Sequence, residues 1–174
     1  MSRALFTGIN HICIVTGDIE KTIRTWSDKY GIGPWRLYTK DASNMTSSVD
    51  GEPTEFGMRV GLSRIGGDVG VEIIQPLDDR SPYAASLSKH NGADHIHHVS
   101  MKVENYRHAI ERLDRFDFQK PLEATFSGAP GVESLFEGTY FSTEADLGFI
   151  VEISHAPDGF EMPPAESVYP PSGE

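Results

Sequence analysis

At 174 residues, with 38% hydrophobic and 24% charged residues, the chain has the composition of a globular protein and enough length to bury a core. Its 15 basic and 26 acidic residues leave a net charge of −11, which argues against a nucleic-acid partner, whose phosphates must be neutralised on binding. One cysteine, Cys13, excludes an internal disulfide framework, and no apolar run reaches the roughly 18 residues of a membrane span. With no secretory h-region, the sequence reads as that of a cytoplasmic protein that meets no membrane.

The first element is "INHICIV", an alternating apolar segment that predicts a strand. Ile19, Ile23 and Trp26 then recur at i, i+4 and i+7, the spacing of an amphipathic helix. "PWRLYTK", "TEFGMRVGLSRI" and "VGVEIIQP" follow as strand candidates, the last with Glu72 inside an apolar run. A short helix is expected from Pro82 to about Lys89, ended at Asn91-Gly92. "IHHVSMKV" opens a second series, with Tyr106, Ile110 and Leu113 on one helical face, strands near "KPLEATF" and at "GTYFST", and finally "GFIVEISH", which contains Glu152. "SGAPGVESLFEG" reads as a mobile loop beside a cleft, and the proline-rich end as an irregular tail expected to drape over the fold or a partner subunit.

The two series are copies. At an offset of 87, Ile9 falls on Ile96, His11 on His98 and Ile23 on Ile110; at an offset of 80, Glu72 falls on Glu152. The expected organisation is a βαβββ module over 1–80, a linker helix within 81–93, a second βαβββ module over 94–156 and a tail over 157–174. Because side chains alternate along a strand, the copy singles out His98 from its neighbours His95 and His97, with His97 expected on the opposite face but available as a supporting hydrogen-bond partner. Cys13 shares the face of His11 and reads as a small buried hydrophobe.

A carboxylate inside an apolar strand is costly unless it is paired or bound to a metal. Two such glutamates and two histidines at equivalent places in duplicated halves would converge if the halves pack about a pseudo-twofold axis. Two imidazoles and two carboxylates suit one divalent first-row ion, and Co, Ni, Mn, Fe and Zn all accept such donors. Arg59 is a candidate clamp for a substrate carboxylate or phosphate.

These features resemble the vicinal oxygen chelate superfamily of glyoxalase, bleomycin-resistance and dioxygenase proteins, over about residues 8 to 156. The resemblance implies an α+β fold in which two βαβββ modules form a curved mixed sheet around a metal-binding cleft, with His11, Glu72, His98 and Glu152 as ligands. "VEIIQPL", "SLSKHNGADHIHHVSMKV" and "FIVEISH", in that order, are most similar to the methylmalonyl-CoA epimerases of the superfamily. Those epimerases usually carry glutamine where this chain has Glu72, so the His-Glu-His-Glu set looks like that of bacterial glyoxalase I. They also carry a non-ligand glutamate on the third strand of the first module, where "FGMRVGLSRI" has no carboxylate.

The implied function is abstraction of a proton next to the carbonyl of a small-molecule substrate, with the metal stabilising the enolate and Glu72 and Glu152 as the catalytic carboxylates. An acyl-CoA epimerase or isomerase is the leading reading. A glyoxalase I-type or β-eliminating lyase is the enzymatic alternative, and a metal-free binding or resistance protein is the non-enzymatic one. Homodimers are common in the superfamily.

Overall fold

A computed structural model describes residues 4–67 and 69–171. The first half runs β1 (Phe6–Val15), α1 (Ile19–Tyr30), β2 (Trp35–Lys40), β3 (Met45–Val49), β4 (Glu52–Pro53), β5 (Met58–Ile65) and β6 (Val69–Pro76). After α2 (Pro82–Lys89), the second half runs β7 (His95–Val103), α3 (Tyr106–Asp114), β8 (Glu123–Ser127), β9 (Leu135–Phe141), the short α4 (Glu144–Leu147) and β10 (Ile150–His155), and β11 (Ser167–Tyr169) lies in the tail. One mixed, curved sheet takes all eleven strands in the order β11-β2-β5-β6-β1-β7-β10-β9-β8-β3-β4. The fold is thus the α+β curved sheet that the sequence implies. No helix among the described residues is long and apolar enough to cross a membrane.

Local chemistry sets the helix ends. Asp18, in extended conformation, accepts the Lys21 amide at the start of α1, and Gly31 closes the helix with φ 66°. Asn105 accepts the His108 amide at the start of α3. Ser81 caps α2 with Pro82 just inside, and Asn91 and Gly92 leave the helix with φ 54° and 76°.

The sheet has two faces. Its outer face is covered by α1, whose Ile19 and Ile23 pack with Ile14, Leu37, Val71 and Ile73, and by α3, whose Tyr106, Ala109 and Leu113 pack with Phe141, Val151 and Ile153. Burying Ile19 and Ile23 contributes about 1.5–3 kcal/mol each before chain entropy is charged against it. The inner face closes over Val15, Met58, Val60, Ile74, Tyr83, Leu122 and Tyr140, drawn from both halves.

At the centre, β1 and β7 are antiparallel, with His11 opposite Ser100 and Cys13 opposite His98. This pairing is what a twofold axis between the strands requires, since the 87-residue offset carries His11 to His98 and Cys13 to Ser100. The axis also relates two irregularities: the ladder skips Asn10 on β1 and His97 on β7, residues that are themselves 87 apart.

The hairpin after β2 differs from the expectation, and the tail takes a definite place on the fold. Residues 41–53, to which the sequence assigns no element, contain the β3–β4 hairpin, which crosses to pair with β8 of the other half. The tail is ordered against the body: the Ala129 amide donates to the Glu161 carbonyl at 2.8 Å, Phe160 packs on Phe136, and β11 pairs with β2. Glu166 anchors this strap by accepting the Thr39 amide at 2.6 Å and its hydroxyl at 3.0 Å. The stretch read as a mobile cleft loop is held at Ala129 by the strap and enters β9 at Leu135.

Candidate metal centre

His11 on β1 and His98 on β7 direct their Nε2 atoms at each other across the axis, 3.3 Å apart. Glu152 on β10 brings Oε2 to 3.1 Å from His11 and 3.6 Å from His98; Glu72 on β6 brings Oε2 to 3.5 Å from each. The strand order β6-β1-β7-β10 makes the carboxylates arrive from opposite sides of the histidine pair. All four residues expected from the duplication are therefore brought together. Within 4.8 Å, His11, His98 and Glu152 form one group and Cys13, Glu72 and His98 a second.

The donor set fits a divalent ion. Donors bonded at about 2.1 Å stand about 3.0 Å apart around an octahedral ion and about 3.4 Å apart around a tetrahedral one, close to the separations observed. His98 is fully buried and Glu152 is 3% exposed, and among the described residues Oε2 of Glu152 makes no hydrogen bond of good geometry and faces only the imidazole nitrogens of His11 and His98. A buried carboxylate oxygen left in that state calls for a cation.

A proton partly fills that role here. Burial opposes charging His11, but the carboxylates of Glu152 and Glu72 overcome it and hold the imidazole pKa up at about 10. Burial likewise opposes ionisation of Glu72 and Glu152, and the adjacent His11 reverses this, keeping both below the ordinary carboxylate range. Cys13, opposite Glu72 in the β1–β6 ladder, is pushed well above its ordinary value by burial and by that carboxylate, so it stays a neutral thiol.

The residues around the four donors were less visible in sequence. His97, released from the ladder by its bulge, sets Nδ1 3.0 Å from Nδ1 of His98, although strand parity alone predicts the opposite face. Tyr83 packs on His97 with ring centroids 4.9 Å apart, Tyr140 meets the His98 ring edge-on at 4.9 Å, and the two tyrosine hydroxyls are 3.0 Å apart. Gly138 makes room for Glu152: a Cβ there would lie 3.2 Å from Oε1.

Other candidates lie elsewhere. Arg59 points to the outer face, where it is 3.1 Å from Glu20 of α1, so the structure does not bring it to the four donors. His90 and His95 stack on each other and bond to Ser86 and Ala93, and His155 stacks on Tyr106.

The model of the Glyoxalase/Bleomycin resistance protein/Dioxygenase superfamily matches residues 10–136. The chain belongs to this superfamily. The match includes His11, Glu72 and His98, while Glu152 lies beyond it. Among characterised relatives, the mitochondrial methylmalonyl-CoA epimerase of Dictyostelium discoideum is 27% identical over 106 residues, 60% of this chain and 54% of that protein. The mitochondrial methylmalonyl-CoA epimerase of Bos taurus is 28% identical over 131 residues, 74% of this chain and 65% of that protein. The chain thus spans somewhat over half to about two thirds of these relatives.

Solved superfamily structures share the fold. Methylmalonyl-CoA epimerase from Mycobacterium tuberculosis superposes with a TM-score of 0.60 at 17% identity, covering 95% of this chain and 93% of its own. A methylmalonyl-CoA epimerase in complex with methylmalonyl-CoA and NH4+ gives the same TM-score and identity, covering 92% of this chain and all of its own.

Proposed function

We propose that this superfamily member is a divalent-metal-dependent enzyme that moves a proton on carbon next to a carbonyl, with an acyl-CoA thioester of the methylmalonyl type as the first substrate to test. The observation that carries this reading is the convergence of two imidazole nitrogens and two carboxylate oxygens in a largely buried cluster, with the imidazole–imidazole and imidazole–carboxylate separations between 3.1 and 3.6 Å. The epimerase relatives support the acyl-CoA choice.

His11, Glu72, His98 and Glu152 would hold the ion, which when bound supplies Lewis-acid polarisation of the carbonyl. The protein's own part is proton transfer. Glu72 and Glu152 reach the site from opposite sides, so a carbon acid held between them has one carboxylate on each face. One, loosened from the ion, would remove the proton, and the other, also loosened and protonated from solvent, would deliver a proton to the opposite face, which inverts the centre. No other carboxylate takes this duty from β5, whose inner face presents Met58, Val60 and Leu62 at the positions next to β6.

The test is deuterium incorporation at C2 of methylmalonyl-CoA in D2O, using protein reconstituted with cobalt. Exchange is expected for the native chain and is expected to be lost in Glu152→Gln. Exchange at the native rate in Glu152→Gln would reject the assignment of Glu152. A second reading, a glyoxalase I-type lyase, is favoured by one feature, a glutamate rather than a glutamine at position 72. Turnover of a hemithioacetal without exchange on the thioester would select it.

A further inference from the structure

Beside His11, the one donor that lines it, lies a cleft of 430 Å3 lined also by Arg36, Tyr38, Leu62 and Arg64, with Met162 of the strap at its edge. Its charge is unusual for a chain with a net charge of −11: among the described residues the lining contains two arginines and no carboxylate. The Arg36 guanidinium has no partner among the described residues. Arg64 donates one Nη1 bond to the Gly67 carbonyl at 3.2 Å and has no carboxylate partner among them. The contrast is with Arg59, Arg80 and Arg107, each paired with an acid.

The sheet register brings both arginines to the donors. Arg36 stands opposite Leu62, which stands opposite Glu72. Arg64 stands opposite Gly70, which stands opposite His11. Each arginine is therefore two strands from a donor, about 10 Å across the sheet, and the two are diagonal neighbours on one face. A guanidinium offers paired donors whose fork matches a carboxylate or phosphate. Gly70 lets β6 approach β1 closely beside His11, since a Cβ there would come within 2.9 Å of the His11 Cβ.

The geometry points to an anion subsite formed by Arg36 and Arg64, which binds a carboxylate or phosphate carried by the substrate close to its reacting carbonyl. This deepens the proton-transfer reading and depends on it only for where the reacting carbon sits. An anion two strands from the donors belongs to the reacting part of the molecule, so the subsite selects carbonyl compounds with a charged substituent over their neutral analogues.

Inorganic phosphate and succinate serve as probes with the metal-free full chain, so that the outcome is independent of metal loading and of proton transfer. The arginine Nε–Hε resonances are followed by NMR, with those of Arg36 and Arg64 assigned by their loss in Arg36→Gln and Arg64→Gln. Saturable shifts of both resonances and of the Leu62 and Gly70 backbone amides are expected at millimolar anion, with the affinity read from those amides about tenfold weaker in the double variant. Arg59→Gln, which alters an ion pair on the other face, should bind as the native chain does. The probe that binds more tightly identifies the group as phosphate or carboxylate. No saturable shift, or equal affinity in the double variant, overturns the subsite whatever the exchange assay shows. Absence of exchange on any thioester alongside arginine-dependent anion binding would reject the epimerase reading and leave the subsite in place.

Discussion

At the scale of single residues, the decisive contact outside the four donors is between the Nδ1 atoms of His97 and His98, 3.0 Å apart. Nε2 of His98 faces the cluster; on the proposed reading it offers a lone pair to the ion there, which puts its proton on Nδ1 with His97 as the acceptor. His97 can accept at any working pH, because burial, reinforced by His98 and His95, lowers its pKa to about 3. Replacing His97 with Phe should weaken cobalt binding by about 10–100-fold in competition with a chelator, while His97→Asn, which retains an acceptor, should lose less. Equal loss in both variants would mean that packing, not the hydrogen bond, is the role of His97.

The proton on His11 gives a second expectation. Its folded pKa of about 10 lies above the ordinary 6.5, so its contribution to stability is complete below 6.5 and is lost as pH rises toward 10. Glu72 and Glu152 lie below their ordinary value of 4.5, so their contribution is present above 4.5 and is lost as pH falls. Thermal melting of the chelator-treated protein should therefore show its largest contribution from this cluster between those two ordinary values. Metal must displace the His11 proton, so affinity should rise with pH over the same range in which the metal-free form weakens. A pH-independent affinity would contradict the charged His11.

At the scale of elements, β9 and β10 are fitted to each other through Gly138 and Glu152. Gly138→Ala places a methyl group 3.2 Å from Oε1, so the carboxylate must move. The expected result is a folded protein with at least tenfold weaker metal binding; native affinity would show that Glu152 has room to adjust.

Glu152 and its three partners were legible in sequence because duplication marks them twice and because a glutamate in an apolar strand is conspicuous. The β3–β4 hairpin was not legible. "MTSSV" buries only Met45 fully, and its partner is β8, far along the chain, so nothing local signals the pairing. β11 has three residues, too few for periodicity, and its place is set by Glu166 and the edge of β2. His97 was misplaced because a bulge breaks the alternation on which face assignment depends, and bulges leave no pattern in the residues themselves. Arg36 was overlooked because the inward face of β2 depends on its register with β5, whereas "WRLY" alone suggests that the arginine points to solvent.

At the scale of the whole molecule, the strap joins the two halves on the side where the cleft lies. It is held to the second half at Ala129 and to the first at Leu37 and Thr39. Glu166→Ala should quicken hydrogen exchange at the Thr39 amide and leave the amides of β1 and β7 protected, because the central pair has its own ladder. Loss of protection at the centre would show that the strap supports the entire sheet.

The antiparallel crossing of β1 and β7 has a further consequence. Each half supplies one imidazole and one carboxylate, so on the proposed reading a half by itself would be a bidentate chelator of modest strength, and only the seated pair would make a tetradentate cage. An ion there would act as a rivet through the seam between the two halves. Its affinity would then gauge, from a single point, how firmly the two copies are joined.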